Sequence, residues 1–242
     1  INMIIPIIIC VLIMFVAQLI IAAISTEKID KTLETLLSTP VSRISVLTSK
    51  MLAAALVALI NAAAYMFGFS SMMGTMTADI TSELGGDIIP ATDTVTDAVR
   101  QLGLIPNAGD FFLIGLQLFF TILIVLSVSL ILGAMVTDMK GAQTVMLPIL
   151  ITAMLPYILS LTTGIDNLSA PLKIFVYIIP FTHSFNAAGN VLFGNMAVYW
   201  AGLAYQVLFF TVCMYLALKL FTSDKIFTSS LNFGRKKLKT VS

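Results

Sequence analysis

The sequence predicts an all-α membrane protein, a polytopic bundle of helices. Of its 242 residues, 59% are hydrophobic and 10% are charged, whereas soluble domains carry about 25% charged residues. The mean hydropathy is +1.03. Apolar segments of about 20 residues recur, which is the length that a helix needs to cross a bilayer. These observations predict a single transmembrane domain over residues 1–242.

Five apolar segments are long enough to form full membrane spans. By residue number they are 2–24, 51–73, 111–136, 144–163 and 198–220. A helical lead-in to the second span is predicted from Ile44. In the fourth span, Pro148 and Pro156 each remove a backbone hydrogen bond, which predicts a kink. No basic region or cleavage site precedes the first span, so we expect no signal peptide, and we expect a further N-terminal part of the protein before Ile1.

A short charged segment, residues 25–43, follows the first span. Its apolar residues recur at helical spacing and form one stripe, made of Ile29, Leu33, Leu36 and Leu37. Pro40 ends this helix because it lacks an N–H and restricts the residue before it. The segment is too short and too charged to cross a bilayer. It is therefore predicted to lie along the membrane surface or against a soluble partner.

Two connecting segments are predicted on the other side of the membrane. Residues 74–110 contain six carboxylates and a lone Arg100. This composition is typical of a solvated external loop, and a cation-collecting vestibule is the alternative. Residues 172–195 are apolar but are interrupted by Pro180, by His183 and by two glycines. Since non-helical backbone at membrane depth needs cover from protein or water, they are predicted to form two short re-entrant helices, an external hairpin.

The basic residues predict the orientation. With residues 25–43 inside, eleven of the thirteen Lys and Arg residues lie inside or at inner helix ends, many of them in the tail 221–242. Arg100 and Lys173 are the two exceptions. This follows the positive-inside rule, which a sixth span within 172–195 would violate by placing the tail outside. We expect a multi-pass plasma-membrane protein with its N-terminal end outside and its C-terminus in the cytoplasm.

Three segments resemble the permease subunits of ABC-2-type transporters. The first is the charged segment, with Glu-Lys-Ile-Asp-Lys-Thr-Leu-Glu-Thr-Leu-Leu at 27–37 and Pro-Val-Ser-Arg at 40–43. The others are Thr-Asp-Met-Lys-Gly-Ala-Gln at 137–143 and Ile-Pro-Phe-Thr at 179–182. The three segments occur in the same order as in the family, and together they extend the resemblance over most of the chain. Within the family, the sequence is most similar to the sodium-efflux and multidrug-like branch.

The resemblance implies an export permease that works with a separate ATPase subunit. The charged segment would be the cytoplasmic coupling helix, and two transmembrane halves, identical or different, would pair with two ATPases. ATP and Mg would be bound by the partner, because this chain contains no G-x-x-x-x-G-K-[ST] phosphate loop. The chain is thus predicted to be no enzyme and to bind no cofactor itself. The resemblance also implies one further span before Ile1, often followed by an external domain.

Nine residues are candidates for the contact with the ATPase. Seven lie in the coupling helix and two in the second inner turn: Glu27, Lys28, Lys31, Thr32, Glu34, Thr35, Arg43, Asp138 and Lys140. Glu27 and Lys31 form an i,i+4 pair in the favourable order, worth about 0.2–0.5 kcal/mol. Asp30 and Glu34 are like charges at the same spacing, and a basic partner residue between them would relieve their repulsion. An interfacial amphipathic helix without a partner is the alternative.

Uncharged polar residues within the spans are candidates to line a substrate path. The four are Asn61, Gln117, Ser127 and Gln206. The alternative is that they join helices by hydrogen bonds, which contribute about 0.6 kcal/mol each on average. No Asp, Glu, Lys or Arg lies in the middle of a predicted span, which argues against a proton relay or a buried ion pair.

The sequence shows no catalytic or metal-binding constellation. His183 is the single histidine, so no pair of histidines can build a metal site. Cys10 and Cys213 lie in apolar segments and are predicted to be small buried hydrophobes. Two other function classes stay open: a secondary transporter or channel driven by an ion gradient, and a membrane scaffold. Inverted repeats and buried charges would favour the secondary transporter, and the sequence shows neither.

Overall fold

The structure is a computed structural model. It describes residues 4–30, 42, 45–46, 48–53, 55–57, 59–61, 63–64, 67–68, 71, 108–136, 138–162 and 167–222. Within these ranges the regular elements are helices and no strand occurs, which confirms the all-α prediction. The helices are α1 (Ile4–Ile29), α2 (Ala108–Ala134), α3 (Met139–Thr162), α4 (Ala170–Ile178), α5 (Pro180–Phe185), α6 (Ala187–Leu192) and α7 (Met196–Thr222).

Four of these helices are long and apolar enough to cross a membrane, which confirms a polytopic bundle. Their apolar parts are Pro6–Ile29, Gly109–Ala134, Lys140–Leu159 and Met196–Phe221, and they match the predicted first, third, fourth and fifth spans. The predicted second span, 51–73, is described only in part. Thr48–Asn61 is an apolar helix that is shorter than a full span. Five spans therefore remain a prediction.

The first span is longer than the sequence predicted. It was expected to end at residue 24, but α1 continues to Ile29, and the N–H of Asp30 still donates to the carbonyl of Thr26 at 2.9 Å. Ser25 is fully buried, whereas residues 26–30 are half-buried or exposed. Residues 25–29 thus continue α1 without a break, and the charged segment does not begin as a separate helix. Residues 31–41, the rest of its predicted helical part, lie outside the described residues.

The core is built around α2. This helix packs most extensively against α1 and α7, and α3 packs mainly against α1. Gly133 lets α1 and α2 approach closely, because a Cβ atom at this position would lie 3.2 Å from the Cβ of Ile24 and 3.5 Å from the Cα of Ile21. The absence of a side chain at Gly133 therefore sets the distance between the two helices at this end of the bundle.

The region 172–195 contains three short helices, where the sequence predicted two. Ile179 is extended, with φ −75° and ψ 119°, and Pro180 then starts α5 as its first residue, a position that suits its fixed φ. Asn186 separates α5 from α6. Gly194 has φ +74°, a left-handed conformation that glycine adopts easily, and it makes the turn into α7.

Helix α5 lies inside the bundle although it is only six residues long. It packs against each of the other six helices, and five of its six residues are buried. The backbone next to the break between α4 and α5 is bonded within the chain. There the hydroxyl of Thr182 donates to the carbonyl of Val176 at 2.6 Å. Protein therefore covers this irregular backbone, as a membrane protein requires.

Replacing Gly133 should loosen the packing of α1 on α2. We expect Gly133→Leu to lower the free energy of unfolding by about 1–3 kcal/mol, because the new side chain must displace Ile24. The free, buried thiols of Cys10 and Cys213 allow the measurement. A thiol-reactive fluorophore would report their exposure as the detergent-solubilised protein is heated.

The matched control is Gly68→Leu, because Gly68 is exposed and a Cβ atom there would meet nothing within 4 Å. We expect the control to keep the midpoint of the unmodified protein. Equal midpoints for the two leucine variants would contradict the close approach at Gly133.

Candidate functional site

Three helix ends are joined by charged side chains at one end of the bundle. Glu27, in the last turn of α1, forms an ion pair with Lys50, near the start of the helical segment that follows Ser42. Next to it, the ammonium group of Lys28 donates to the carbonyl oxygen of Ala134, the last residue of α2. The carbonyl end of a helix carries partial negative charge, so a cation is stabilised there. We call Glu27, Lys28, Lys50 and the Ala134 carbonyl the charged cluster.

Ser42 starts the helical segment that carries Lys50. Its hydroxyl accepts a hydrogen bond from the N–H of Ser45 at 3.1 Å, and its carbonyl accepts the N–H of Val46 at 3.2 Å. This is how an N-cap serine satisfies the free N–H groups of a first turn. The described residues from 45 to 71 are all helical, and we call them the second helical segment. Helix α1 and this helical segment are thus the described elements on either side of residues 31–41.

The structure places four of the nine predicted ATPase-contact residues. Glu27 and Lys28 form bonds within the chain, in the charged cluster. Asp138 and Lys140 are exposed at the turn between α2 and α3, where the carboxylate of Asp138 accepts the N–H of Gly141 at 2.6 Å. The other five, Lys31, Thr32, Glu34, Thr35 and Arg43, lie outside the described residues. Their contact with a partner stays a prediction.

A second group of polar side chains lies deep in the core, between α2, α5 and α7. It consists of Gln117 and Thr121 on α2, Ser184 on α5 and Gln206 on α7, and each is at most 1% exposed. We call these four residues the buried polar cluster. Sequence analysis singled out both glutamines, and the structure brings them together across 89 residues of chain.

Gln206 is the centre of the buried polar cluster. Its side-chain oxygen accepts the amide of Gln117 at 2.9 Å. Its side-chain nitrogen donates to the hydroxyl of Ser184 at 2.7 Å and to the carbonyl of Pro180 at 2.9 Å. Thr121 and Ser184 also bond to each other. In this conformation the cluster acts as a joint between three helices, which is the alternative that the sequence left open for such residues.

The other two predicted path residues do not join this group. Asn61 donates to the carbonyl of Val57 in its own helical segment at 2.8 Å, and Ser127 donates to the carbonyl of Leu123 in α2 at 2.8 Å. Local bonds of this kind satisfy a polar side chain without joining helices. The structure therefore does not gather the four predicted path residues into a single lining.

An apolar groove of about 330 Å³ lies between the second helical segment and α2. This volume is at the lower end of the range for ligand pockets, about 300–1,000 Å³. Leu59 and Ala63 form one wall, and residues of α2 form the other: Phe112, Gly115, Leu116, Leu118, Phe119 and Ile122. The sequence had no signal for this groove, because each of its residues is an ordinary apolar residue of a membrane helix.

Comparison with known protein families decides the class of the chain. A family model described as "ABC-2 family transporter protein" matches residues 1–219. The chain belongs to the ABC-2 transporter family. It is a multi-pass membrane protein and a permease of ABC-type transporters, which confirms the resemblance seen in the sequence. No curated protein and no solved structure matches the chain, so its placement in the sodium-efflux branch stays a prediction.

His183 of this ABC-2 permease is held between two tyrosines. The ring centroids of Tyr177 and Tyr205 lie 5.6 and 5.1 Å from that of the imidazole. Its Nε2 lies 3.1 Å from the carbonyl oxygen of Tyr177, so this nitrogen donates. On the other side, a Cβ atom at Gly202 would lie only 2.8 Å from Nδ1. Burial lowers the pKa of His183, although the bond to the Tyr177 carbonyl partly opposes this.

The described residues of the permease contain no group of three or more His, Cys, Asp and Glu side chains that could hold a metal ion. The described residues thus form three candidate features: the charged cluster, the buried polar cluster and the apolar groove. In both clusters the polar side chains bond to other parts of the chain.

Removing the Gln206 amide should destabilise the permease. We expect Gln206→Leu to lower the free energy of unfolding by about 1–3 kcal/mol, because the Pro180 carbonyl and the Ser184 hydroxyl lose a buried donor. Asn61→Leu is the control, since Asn61 bonds within its own helical segment, and it should change stability by less than about 0.5 kcal/mol. The thiol-exposure midpoint measures both, and equal effects would contradict the role of Gln206 as a joint.

Stability should fall on mild acidification because of His183. Its folded-state pKa is lowered, so below about pH 6.5 the unfolded state takes up a proton that the folded state resists. We expect the unfolding midpoint to drop between about pH 7.5 and about pH 5.5, and His183→Gln to reduce this drop. Scanning fluorimetry of the intrinsic emission measures it, and an identical pH profile in the variant would count against this assignment.

Proposed function

We propose that this chain is the membrane-spanning subunit of an ATP-driven exporter and that a separate ABC ATPase supplies the energy. Membership of the ABC-2 family is the observation that carries the proposal. ATP and Mg would be bound by the ATPase, because the chain has no phosphate loop. Two such permease halves, identical or different, would form the transporter, with the substrate path between them.

The segment 25–43, which we call the coupling segment, is the proposed site of energy input. Its stripe of apolar residues suits an anchor on the membrane surface, and its charged face suits a soluble partner. Both of its ends are continuous with helices of the bundle, since α1 runs to Ile29 and Ser42 caps the next helical segment. A movement of the ATPase would therefore reach the bilayer through a short connection. This requires the charged cluster to face the cytoplasm, with residues 74–110 and the helices α4–α6 towards the outside.

The arrangement of charges supports ATP-driven over ion-driven transport. In the four described spans, every Asp, Glu, Lys and Arg lies in the first or last turns: Glu27, Lys28, Asp110, Lys140 and Lys219. Proton- and ion-coupled carriers use charged groups at membrane depth. The buried polar residues within the described part of the chain are instead neutral, which favours a role in packing.

Co-purification tests the proposal. The tagged permease, extracted in mild detergent from cells that also express the neighbouring coding frames, should retain a second chain with a G-x-x-x-x-G-K-[ST] motif, identified by mass spectrometry. The complex should hydrolyse ATP. Substrate movement by the permease alone in proteoliposomes, with no ATP and no such chain, would instead establish the secondary transporter.

Changes in residues 25–43 should remove the stimulation of the ATPase by the permease. We expect Glu34→Arg and Leu33→Asp to abolish the stimulation of the ATPase by the permease while the protein still inserts, because one alters the charged face and the other the apolar stripe. The steady-state rate of phosphate release by the purified complex measures the effect.

Ser169→Arg provides the control, since Ser169 is exposed beyond the far end of α3 and gains the same charge. This variant should keep full stimulation. If Glu34→Arg and Leu33→Asp also keep it, the segment does not contact the ATPase.

A further inference from the structure

We propose that the Glu27–Lys50 ion pair ties the two ends of the coupling segment together, so that a displacement of this segment moves α1, α2 and the second helical segment as one unit. Glu27 and Lys50 are positioning residues in this proposal. It deepens the proposed function and rests on it, because the displacement is the one that an ATPase would impose.

The first step is where the coupling segment begins and ends. Helix α1 keeps its hydrogen bonding to the end, since the N–H of Asp30 donates to the carbonyl of Thr26 at 2.9 Å. The next described residue, Ser42, caps the helical segment that leads to Lys50. Residues 31–41 connect these two points. Each of its ends is thus attached to a rigid element.

The second step is the position of the ion pair. Glu27 lies one turn before the connection starts, and Lys50 lies two turns after Ser42. The pair therefore joins the last turn of α1 to the second helical segment. The side chains are 18% exposed at Lys50 and 35% exposed at Glu27. Partial exclusion of water strengthens their attraction relative to an ion pair in bulk water.

The third step brings in α2. Lys28 follows Glu27 directly and is turned by about 100° around the helix axis, so it reaches a different neighbour. It donates to the carbonyl of Ala134 at the end of α2, beside Gly133, where α1 and α2 lie in close contact. Two adjacent residues of one helix thus hold two neighbours, one by an ion pair and the other by a charge-assisted hydrogen bond.

The consequence is mechanical. If the two ends of residues 31–41 were independent, a force on them would bend one helix end away from the other. The ion pair opposes this separation, and the bond of Lys28 adds α2 to the unit that moves. The charge on Glu27 therefore holds the end of α1 to Lys50, in addition to any contact that the coupling segment makes with a partner.

Hydrogen–deuterium exchange of the permease in nanodiscs tests the tie without an ATPase. Glu27→Gln and Lys50→Gln should each speed exchange in the peptides around 24–30 and 42–50 by roughly two- to fivefold, the factor for a pair of about 0.4–1 kcal/mol. Lys50→Arg keeps the pair and should stay slow. Lys140→Gln is the matched control, because Lys140 is exposed and lies outside the cluster, and it should leave both peptides unchanged.

Charge exchange provides the decisive variant. Glu27→Lys combined with Lys50→Glu restores opposite charges and should return both peptides to slow exchange. Fast exchange in this double variant, or unchanged exchange in the single Gln variants, overturns the proposal.

The coupling role has its own readout. In the complex with its co-purified ATPase, ATP and vanadate should change the rate of maleimide labelling of Ser169→Cys at the far end of the bundle. Lys50→Gln should lose this change while ATP hydrolysis continues, and the charge-exchanged variant should regain it. An unaltered response in Lys50→Gln refutes the coupling role. If no ATPase binds but exchange responds as expected, the proposed function fails and the tie remains.

Discussion

The side-chain amide of Gln206 holds the centre of this bundle together. It bonds to α2 through Gln117 and to the short helix α5 through Ser184 and Pro180. In an apolar interior no water replaces a lost partner, so each such bond is expensive to break. Because α5 packs against every other described helix, fixing α5 also fixes how the long helices lie around it.

The same constraint governs the charged end of the bundle. Glu27 and Lys28 extend α1 beyond the apolar residues that bury its face, and they stay within the folded chain because Lys50 and the carbonyl of Ala134 satisfy them. A helix end whose polar groups lack partners tends to fray. Pairing therefore supports α1 in its last turn.

The buried polar cluster and the charged cluster lie in different parts of the permease. The buried polar cluster joins neutral groups in the core, whereas the charged cluster joins helix ends at one end of the bundle. Between them, α1 and α2 are packed along most of their length by apolar residues, with Gly133 closing the distance near the charged end. The apolar contact between α1 and α2 thus connects the two clusters.

The sequence alone was sufficient for the class of fold, because hydrophobicity and segment length are properties of each helix by itself. It identified the four described spans to within a few residues, and it singled out Gln117 and Gln206 as polar groups in apolar helices. It placed the end of the first span too early, because the charges of Glu27 and Lys28 look like a boundary until their partners are known.

Only the tertiary structure could show that Gln206 meets Ser184 and Pro180 or that Glu27 meets Lys50. These contacts join residues 22 to 26 apart in the chain with no local pattern. It also decided that 172–195 forms three short helices, since the break at Asn186 lies within a well-covered segment. The physical reason is the same in each case: most polar groups in an apolar interior are paired, but the packing of distant segments decides which partner each one meets.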